Sequence, residues 1–253
     1  MVRVTTALDR PARTHLTIEV VLVLLLSLGA SAVYAVVSLV AKLTAGRPLS
    51  QQTATLNPSQ SPRPYLDLTY QLLGIFFALI PVLLALYLLG RARSSLGIDF
   101  RRPAADAGWG AALAAAIGLP GLLLVFAAAQ LGLNAQIVPA ALQPVWWAVP
   151  VLILKALENA ILEEVIVVGY LITRLREMSM RLWLVVACSA VLRGSYHLYQ
   201  GFGPFIGNVV MGLVFAWLYT RTKRVMPLVI AHALLDIVAF VGFSLFGRAV
   251  GLG

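Results

Sequence analysis

The feature that most constrains this chain is a series of apolar runs, each about as long as a bilayer is thick. Seven such runs are present in the 253 residues, at about 17–41, 68–90, 107–130, 145–173, 182–199, 203–220 and 225–246. A helix needs about 20 apolar residues to cross the hydrocarbon core of a membrane. Only 11% of the residues are charged, against about 25% in soluble domains. The sequence therefore predicts an all-α fold, a polytopic transmembrane helical bundle with about seven spans.

The basic residues lie in the connections between the runs, and they alternate from one connection to the next. The net charge of +9 would suggest a nucleic-acid partner only if it clustered on a soluble face, so we expect no nucleic acid. The N-terminus, with Arg3, and the connections 91–106, 174–181 and 221–224 hold 13 Lys and Arg, and the other connections hold 4. Basic connections stay in the cytoplasm. We therefore predict a multi-pass integral protein of the cell membrane, with its N-terminus in the cytoplasm and its C-terminus outside.

Ionisable residues inside the runs divide the chain into two parts. The first three runs are almost free of them, whereas the later runs hold Lys155, Glu158, Glu163, Glu164, Arg193, His197, His232 and Asp236. Such residues are expensive in a bilayer and indicate a functional site by default. We predict an N-terminal membrane scaffold at 1–144, a membrane core that carries the site at 145–246, and a short tail at 247–253. The scaffold includes an external, mobile loop at 42–67, rich in Ser, Gln, Pro and Thr.

Two adjacent carboxylates, Glu163 and Glu164, lie in the fourth run. They differ by about 100° around a helix, so both can border one cavity. Close carboxylates cannot both ionise cheaply in a dry site, which suits such a pair to acid–base chemistry. The alternative is a purely structural clamp, in which the carboxylates pair with Arg193 or Lys155.

Two further helices contribute histidines. Arg193 and His197 are four residues apart in the fifth run, as are His232 and Asp236 in the seventh, so each pair lies on one helix face. A helical His-x-x-x-Asp pair can bind a metal, or it can present an imidazole and an acceptor to a substrate. Asn208 in the sixth run is a supporting polar candidate, or else an interhelical hydrogen-bond donor.

A single cysteine, Cys188, lies inside the fifth run. With one cysteine the chain can form no internal disulfide and no cysteine-based metal motif. We expect Cys188 to be an ordinary packing residue.

The order and spacing of these residues resemble the CPBP family, the CAAX-protease and bacteriocin-processing (Abi) intramembrane peptidases, which include the type II CAAX prenyl endopeptidases. The family's motifs are Glu-Glu-x-x-x-Arg, Phe-x-x-x-His and His-x-x-x-Asn/Asp on separate membrane helices. Glu163-Glu164, His197 and His232 with Asp236 match them over about residues 145–240. The resemblance implies an intramembrane endopeptidase, a hydrolase that processes peptide or lipidated, prenyl-type protein substrates in the lipid bilayer. It leaves the substrate's identity and the oligomeric state open.

The resemblance also implies roles for the candidate catalytic residues Glu163, Glu164, His197, His232 and Asp236. Glu163 and His197 would activate the attacking water, and His232 and Asp236 would hold the oxyanion side or help to bind a metal. A metalloprotease would hold zinc through His197, His232 and Glu163, while a metal-free glutamate mechanism is equally open.

Two other functions compete with the peptidase. One is a non-catalytic, pseudoprotease-like membrane binding partner. The other is a proton-coupled carrier, which usually shows inverted repeats with broken helices in both halves. Here the polar residues all lie in one half, and this disfavours the carrier.

Two positions depart from the family's motifs. Val168 stands where the family has arginine, and Arg193 stands where it has phenylalanine. An unpaired buried guanidinium would be very costly. We therefore expect Arg193 to pair with Glu164, so that the fifth helix supplies the cation that the family places one turn after the glutamates.

Overall fold

A computed structural model describes residues 10–246, and these are helical apart from connections and one pair of short strands. The elements, in chain order, are α1 (Arg10–Leu25), α2 (Leu28–Leu43), β1 (Thr53–Thr55), α3 (Pro64–Ala78), α4 (Ile80–Leu89), α5 (Pro103–Gln130), β2 (Gln136–Val138), α6 (Ala148–Glu163), a π-helix (Glu164–Tyr170), α7 (Leu171–Glu177), α8 (Leu182–Ser195), α9 (Phe202–Thr222) and α10 (Met226–Phe246). Arg3 and the predicted tail at 247–253 lie outside the described residues.

The described helices confirm an all-α polytopic bundle. Four stretches are long and apolar enough to cross a membrane, and α1 with α2 makes a fifth that is bent by 57°; the four are Pro64–Leu96, Pro103–Gln130, Phe202–Thr222 and Met226–Phe246. The continuous helical stretch 148–177 also has the length, but it carries charged residues. Helix α8 has only 14 residues. The count of seven spans remains a prediction.

The basic connections meet at one end of the bundle, which we call the basic end; it comprises residues 88–102, 174–181 and 221–225. There the Val225 N–H donates to Leu96 O at 2.8 Å, and Arg224 Nη2 lies 2.6 Å from Asp106 Oδ2. Helix α1 begins near this end, because Thr17 contacts Met178. Helix α10 begins at the basic end and runs to the opposite one. The described chain thus begins and ends at opposite ends, as an odd number of spans requires.

The opposite end, which we call the strand end, is formed by residues 44–62, 131–147 and 198–201. Strands β1 and β2 pair in parallel there, with Thr53 opposite Gln136. The segment 42–67, predicted as an external, mobile loop, contains ordered strand pairing, and α3 already begins at Pro64 within it. A pattern search misses this pair because each strand has only three residues and its partner is about 80 residues away.

Between α6 and α7 the helix changes to π geometry over Glu164–Tyr170, and all seven residues are buried. Four β-branched residues in succession, 165–168, weaken the preference for a regular α-helix. Gly169 follows them, and a Cβ there would lie 3.3 Å from Val225 Cγ2, so glycine lets the α9–α10 connection approach. π-Helices are rare and frequently occur at functional sites.

Candidate active site

The predicted carboxylates and the predicted arginine meet at the centre of the bundle. Glu163 ends α6 and Glu164 opens the π-helix. Arg193 Nη2 lies 2.6 Å from Glu164 Oε1, and Nη1 lies 3.3 Å from Glu163 Oε2. Arg193 and Glu164 are fully buried. The expected pairing of Arg193 with Glu164 is confirmed, and the guanidinium also reaches Glu163.

The packing of α8 against α9 fixes where this guanidinium lies. Its carbon Cζ stacks 5.4 Å from the centre of the Phe215 ring on α9. A Cβ at Gly212 would lie 2.8 Å from Ala190 Cα and 3.2 Å from Arg193 Cδ, so a larger residue there would push the two helices apart. Arg193 is therefore held on one side by an aromatic face and on the other by the two carboxylates.

Helix α10 brings His232 to the same carboxylates. Its Nδ1 lies 2.7 Å from Glu164 Oε1 and 4.0 Å from Glu163 Oε2. Its Nε2 lies 3.7 Å from Asp236 Oδ2, which is beyond hydrogen-bond distance. Asp236 accepts a hydrogen bond from the Asn159 amide at 3.3 Å instead. His232 and Asp236 thus share one side of the cluster, as their spacing predicts.

His197 lies just past the end of α8, in the turn that leads to α9. Its Nδ1 is 3.2 Å from Gln200 Nε2, and its Nε2 is buried without a hydrogen-bond partner among the described residues. The linker before α6 holds this turn, since the Ala135 N–H donates to Gln200 O at 2.9 Å and the Gly203 N–H donates to Asn134 Oδ1 at 3.0 Å.

Each carboxylate has one oxygen without a hydrogen bond to a described residue, and the two differ in whether they are accessible. Glu164 Oε1 is shared by Arg193 and His232, and the whole residue is inaccessible. Glu163 is 7% exposed, and its Oε2 accepts from Arg193 and, at 2.7 Å, from the Tyr196 hydroxyl. Glu163 Oε1 has no hydrogen bond with any described residue. Glu163 is therefore the carboxylate whose unpaired oxygen belongs to an accessible residue, whereas the unpaired Glu164 Oε2 is fully buried.

Several residues of this arrangement escaped the sequence analysis. Tyr196 is buried against Glu163, Asn159 holds Asp236, and Gln200 holds His197. The sequence spacing could have indicated two of them, because Asn159 precedes Glu163 by one helical turn and Gln200 follows His197 by three residues.

Asn208 was predicted as a supporting residue of the site, but its amide donates to Pro204 O in its own helix at 3.0 Å. The structure gives Asn208 no hydrogen bond to the described residues of the cluster.

Three residues could hold a metal ion. One ligand atom each from Glu163, Glu164 and His232 lies within 4.8 Å of the others, and three protein ligands of these types are what a catalytic zinc needs. His197, predicted as a ligand, is outside this set, and Glu164 takes its place. Arg193 contacts both carboxylates and already supplies positive charge there.

The fold and the site define a polytopic membrane protein with a buried Glu/Arg/His cluster between its helices. Residues 144–238 match the family model of the type II CAAX prenyl endopeptidase Rce1-like proteins. The matched segment is less than half of the chain, and over this segment the resemblance described above to CAAX-type membrane proteases is confirmed. Comparisons with curated proteins and with solved structures found no match. The apolar helices make this a multi-pass membrane protein, the matched segment is similar to membrane hydrolases of the CAAX type, and the division at 144/145 remains a prediction.

Proposed function

We propose that this protein is an intramembrane endopeptidase that uses Glu163 as its general base on a peptide bond of a membrane-associated, prenyl-type substrate. The observation that carries the proposal is the asymmetry of Glu163. Its Oε2 is fixed by Tyr196 and Arg193, whereas its Oε1 has no hydrogen bond with a residue that the structure describes. A base must be held in place and still present one unshared oxygen to its proton donor.

In the proposed reaction, Glu163 Oε1 removes a proton from a water molecule while the water oxygen bonds to the scissile carbonyl carbon. His197, whose Nε2 is buried and unpaired among the described residues, orients that water. The protonated ring of His232 stabilises the negative charge that develops on the carbonyl oxygen, and Asp236, whose Oδ2 lies 3.7 Å from His232 Nε2, stabilises the positive charge of that ring. The proton then passes from Glu163 to the leaving nitrogen as the C–N bond breaks, which regenerates the carboxylate.

Glu164, Arg193 and Tyr196 position these groups in this scheme. Glu164 orients the His232 ring through Nδ1 at 2.7 Å. Arg193 keeps the adjacent carboxylates together and offsets their repulsion. Tyr196 fixes the rotamer of Glu163 from the far side.

Zinc, when bound, would be held by Glu163, Glu164 and His232, and it would supply a more acidic water. Zinc titration into the purified protein tests this set. We expect Glu163→Ala and His232→Ala to weaken binding and His197→Ala to leave it unchanged. Wild-type protein that binds no zinc and still cleaves would favour the metal-free glutamate mechanism.

Cleavage of a prenylated peptide by purified protein in liposomes tests the proposed function. Glu163→Gln keeps the size of the side chain but removes the base, so we expect a loss of about 10²- to 10⁴-fold in kcat. The matched control is Glu177→Gln, a partly exposed carboxylate at the basic end, which should stay close to wild type. Near-normal activity of Glu163→Gln would remove Glu163 from the mechanism. Binding of the peptide without cleavage by the wild type would favour the pseudoprotease.

A further inference from the structure

The two approaches to the cluster differ in polarity. From the cluster towards the basic end, the π-helix and α7 present apolar residues that are almost inaccessible; Ile166, Val168 and Ile172 are 0–1% exposed. Towards the strand end, α6 instead carries Lys155, Glu158 and Asn159. Tyr170 and Arg174 bind Glu19 further along this side, but the apolar residues 165–168 separate that polar group from the cluster, and close apolar packing excludes water.

Helix α3 adds buried polar groups on the side of the strand end, where Asp67 and Gln71 are 0% and 5% exposed. Asp67, Gln71 and Gly74 are spaced by four and three residues and share one face of this helix. A Cβ at Gly74 would lie 3.6 Å from Lys155 Nζ, so this face is directed at α6. Both helices begin at the strand end. We call Asp67, Gln71, Lys155 and Glu158 the polar track.

The polar track descends in steps from the strand end to the cluster. At 1.5 Å per residue, Asp67 lies about 5 Å into α3, Lys155 about 10 Å into α6 and Glu158 about 15 Å into it. Gln71 Nε2 is 3.3 Å from Asp67 Oδ1, and Lys155 Nζ is 3.2 Å from Glu158 Oε2. Glu158 in turn lies within electrostatic range of Glu163 and Asp236. Glu163 is about 22 Å from the start of α6 by the same measure.

Buried polar atoms without partners lie at both ends of this route. Among the described residues these atoms are Asp67 Oδ2, Glu164 Oε2, Arg193 Nε and His197 Nε2. A buried polar atom left unpaired is destabilising, and in folded proteins such atoms are commonly satisfied by internal water. Three of the four belong to the cluster, and the fourth belongs to the first residue of the polar track.

We propose that the polar track is the route by which water enters the site, from the strand end of the bundle, and that the basic end is closed to it. The inference deepens the proposed function and rests on it for the use of that water, since hydrolysis consumes one water per bond. By the distribution of Lys and Arg, the strand end is the external face of the membrane.

Thiol labelling tests the route without any substrate. Cys188, predicted to be a packing residue, is exposed, so the experiment begins from Cys188→Ala. Gln71→Cys places a thiol in the polar track, and Leu73→Cys places one two residues away on the outer surface of the bundle, where Leu73 is 45% exposed. A charged, membrane-impermeant thiosulfonate reagent is added to intact cells and to inverted vesicles.

We expect the Gln71→Cys thiol to react at least about tenfold faster than the Leu73→Cys thiol, because a thiolate forms only where water reaches it. The reaction should occur from one membrane face, the face of the strand end. Ile172→Cys, about 8 Å from the basic end of α7, should stay unlabelled from both faces. Equal rates for Gln71→Cys and Leu73→Cys, or labelling of Ile172→Cys, would overturn the proposal.

Gly74→Cys provides a second variant if Gln71→Cys does not fold, since its Cβ would meet only the flexible end of Lys155. Size-exclusion elution in detergent checks the fold of each variant. The labelling result and the cleavage assay test the two proposals separately. If the polar-track thiols are labelled but the protein cleaves no peptide, the water route is supported and the peptidase function is rejected.

Discussion

At the scale of single residues, the central feature is a cation that reaches two adjacent carboxylates from another helix. Arg193 is fully buried; its Nη1 and Nη2 each donate to one carboxylate, while its Nε has no partner among the described residues. Removing one member of such a pair strands a charge in a medium that cannot solvate it. For the stability of the buried carboxylates, the presence of a guanidinium therefore matters more than which helix supplies it.

This reasoning gives a prediction for the exchanged positions. Arg193→Phe should destabilise the protein by about 3–5 kcal/mol, because Glu164 loses its cation. Val168→Arg alone adds a surplus buried charge and should also be harmful. The double variant restores the family's arrangement and should recover much of the loss, measured as the midpoint of thermal unfolding in detergent. A double variant as unstable as the sum of the singles would refute the exchange.

Sequence reasoning found the charged members of the site and missed its neutral ones. A lone charge in an apolar run must find a partner, so Arg193 and Glu164 could be paired from the sequence alone. Tyr196 and Asn159 carry no such requirement, since a hydroxyl or an amide can also bond within its own helix, as Asn208 does. The sequence also does not give the depth of each residue in the bundle: Val225 at the basic end is fully buried, and His232, seven residues later, reaches Glu164.

At the scale of elements, the connections are as specific as the helices. Gly97 follows the turn after α4 with φ +62°, and a Cβ there would lie 2.7 Å from both Arg224 Cα and Lys223 O. These neighbours are backbone atoms of the α9–α10 connection and cannot move aside cheaply. The glycine therefore allows two connections of the basic end to touch.

Gly97→Ala should consequently lower stability by more than backbone strain alone. Gly46 is the matched control, with φ +71° and no heavy atom within 4 Å of the added Cβ. Gly46→Ala should cost about 1–2 kcal/mol from the left-handed conformation, and Gly97→Ala about 1–3 kcal/mol more from the overlap. Thermal unfolding in detergent compares the two, and equal losses would contradict the tight packing at Gly97.

Short elements were the hardest to predict at this scale. Helix α8 is shorter than a span because the linker before α6 reaches inwards and holds the turn after it through Asn134 and Ala135. Neither that contact nor the β1–β2 pair has a local signature. The long apolar helices, by contrast, follow directly from hydrophobic runs.

At the scale of the whole molecule, the distribution of charge assigns the two ends to opposite faces of the membrane. The basic segments that alternate along the sequence do meet at one end of the structure. Their contacts, such as Arg224 with Asp99 and Asp106, join connections that are more than 100 residues apart. A bundle with one strongly basic end has a preferred orientation.

Reporter fusions test that orientation. A fusion after Gly253 should behave as external, and one inserted in the 91–106 connection should behave as cytoplasmic, as enzyme reporters active on only one side would show. A cytoplasmic C-terminus would rule out the seven-span count and place the polar track on the cytoplasmic face. The same pair of fusions in the Glu163→Gln variant should give identical results, because that change does not alter the basic connections.

The π-helix sets a condition on the length of the chain. Its hydrogen bonds run from residue i to i+5, one residue more than in an α-helix. Deleting one residue from 165–168 would let the stretch close as a regular helix, and everything before it would turn by about 100° relative to everything after it. Glu163 would then face away from Arg193, while Arg174 kept its bond to Glu19. The additional residue of the π-helix thus sets the angle between Glu163 at the site and Arg174 near the basic end of the same helical stretch.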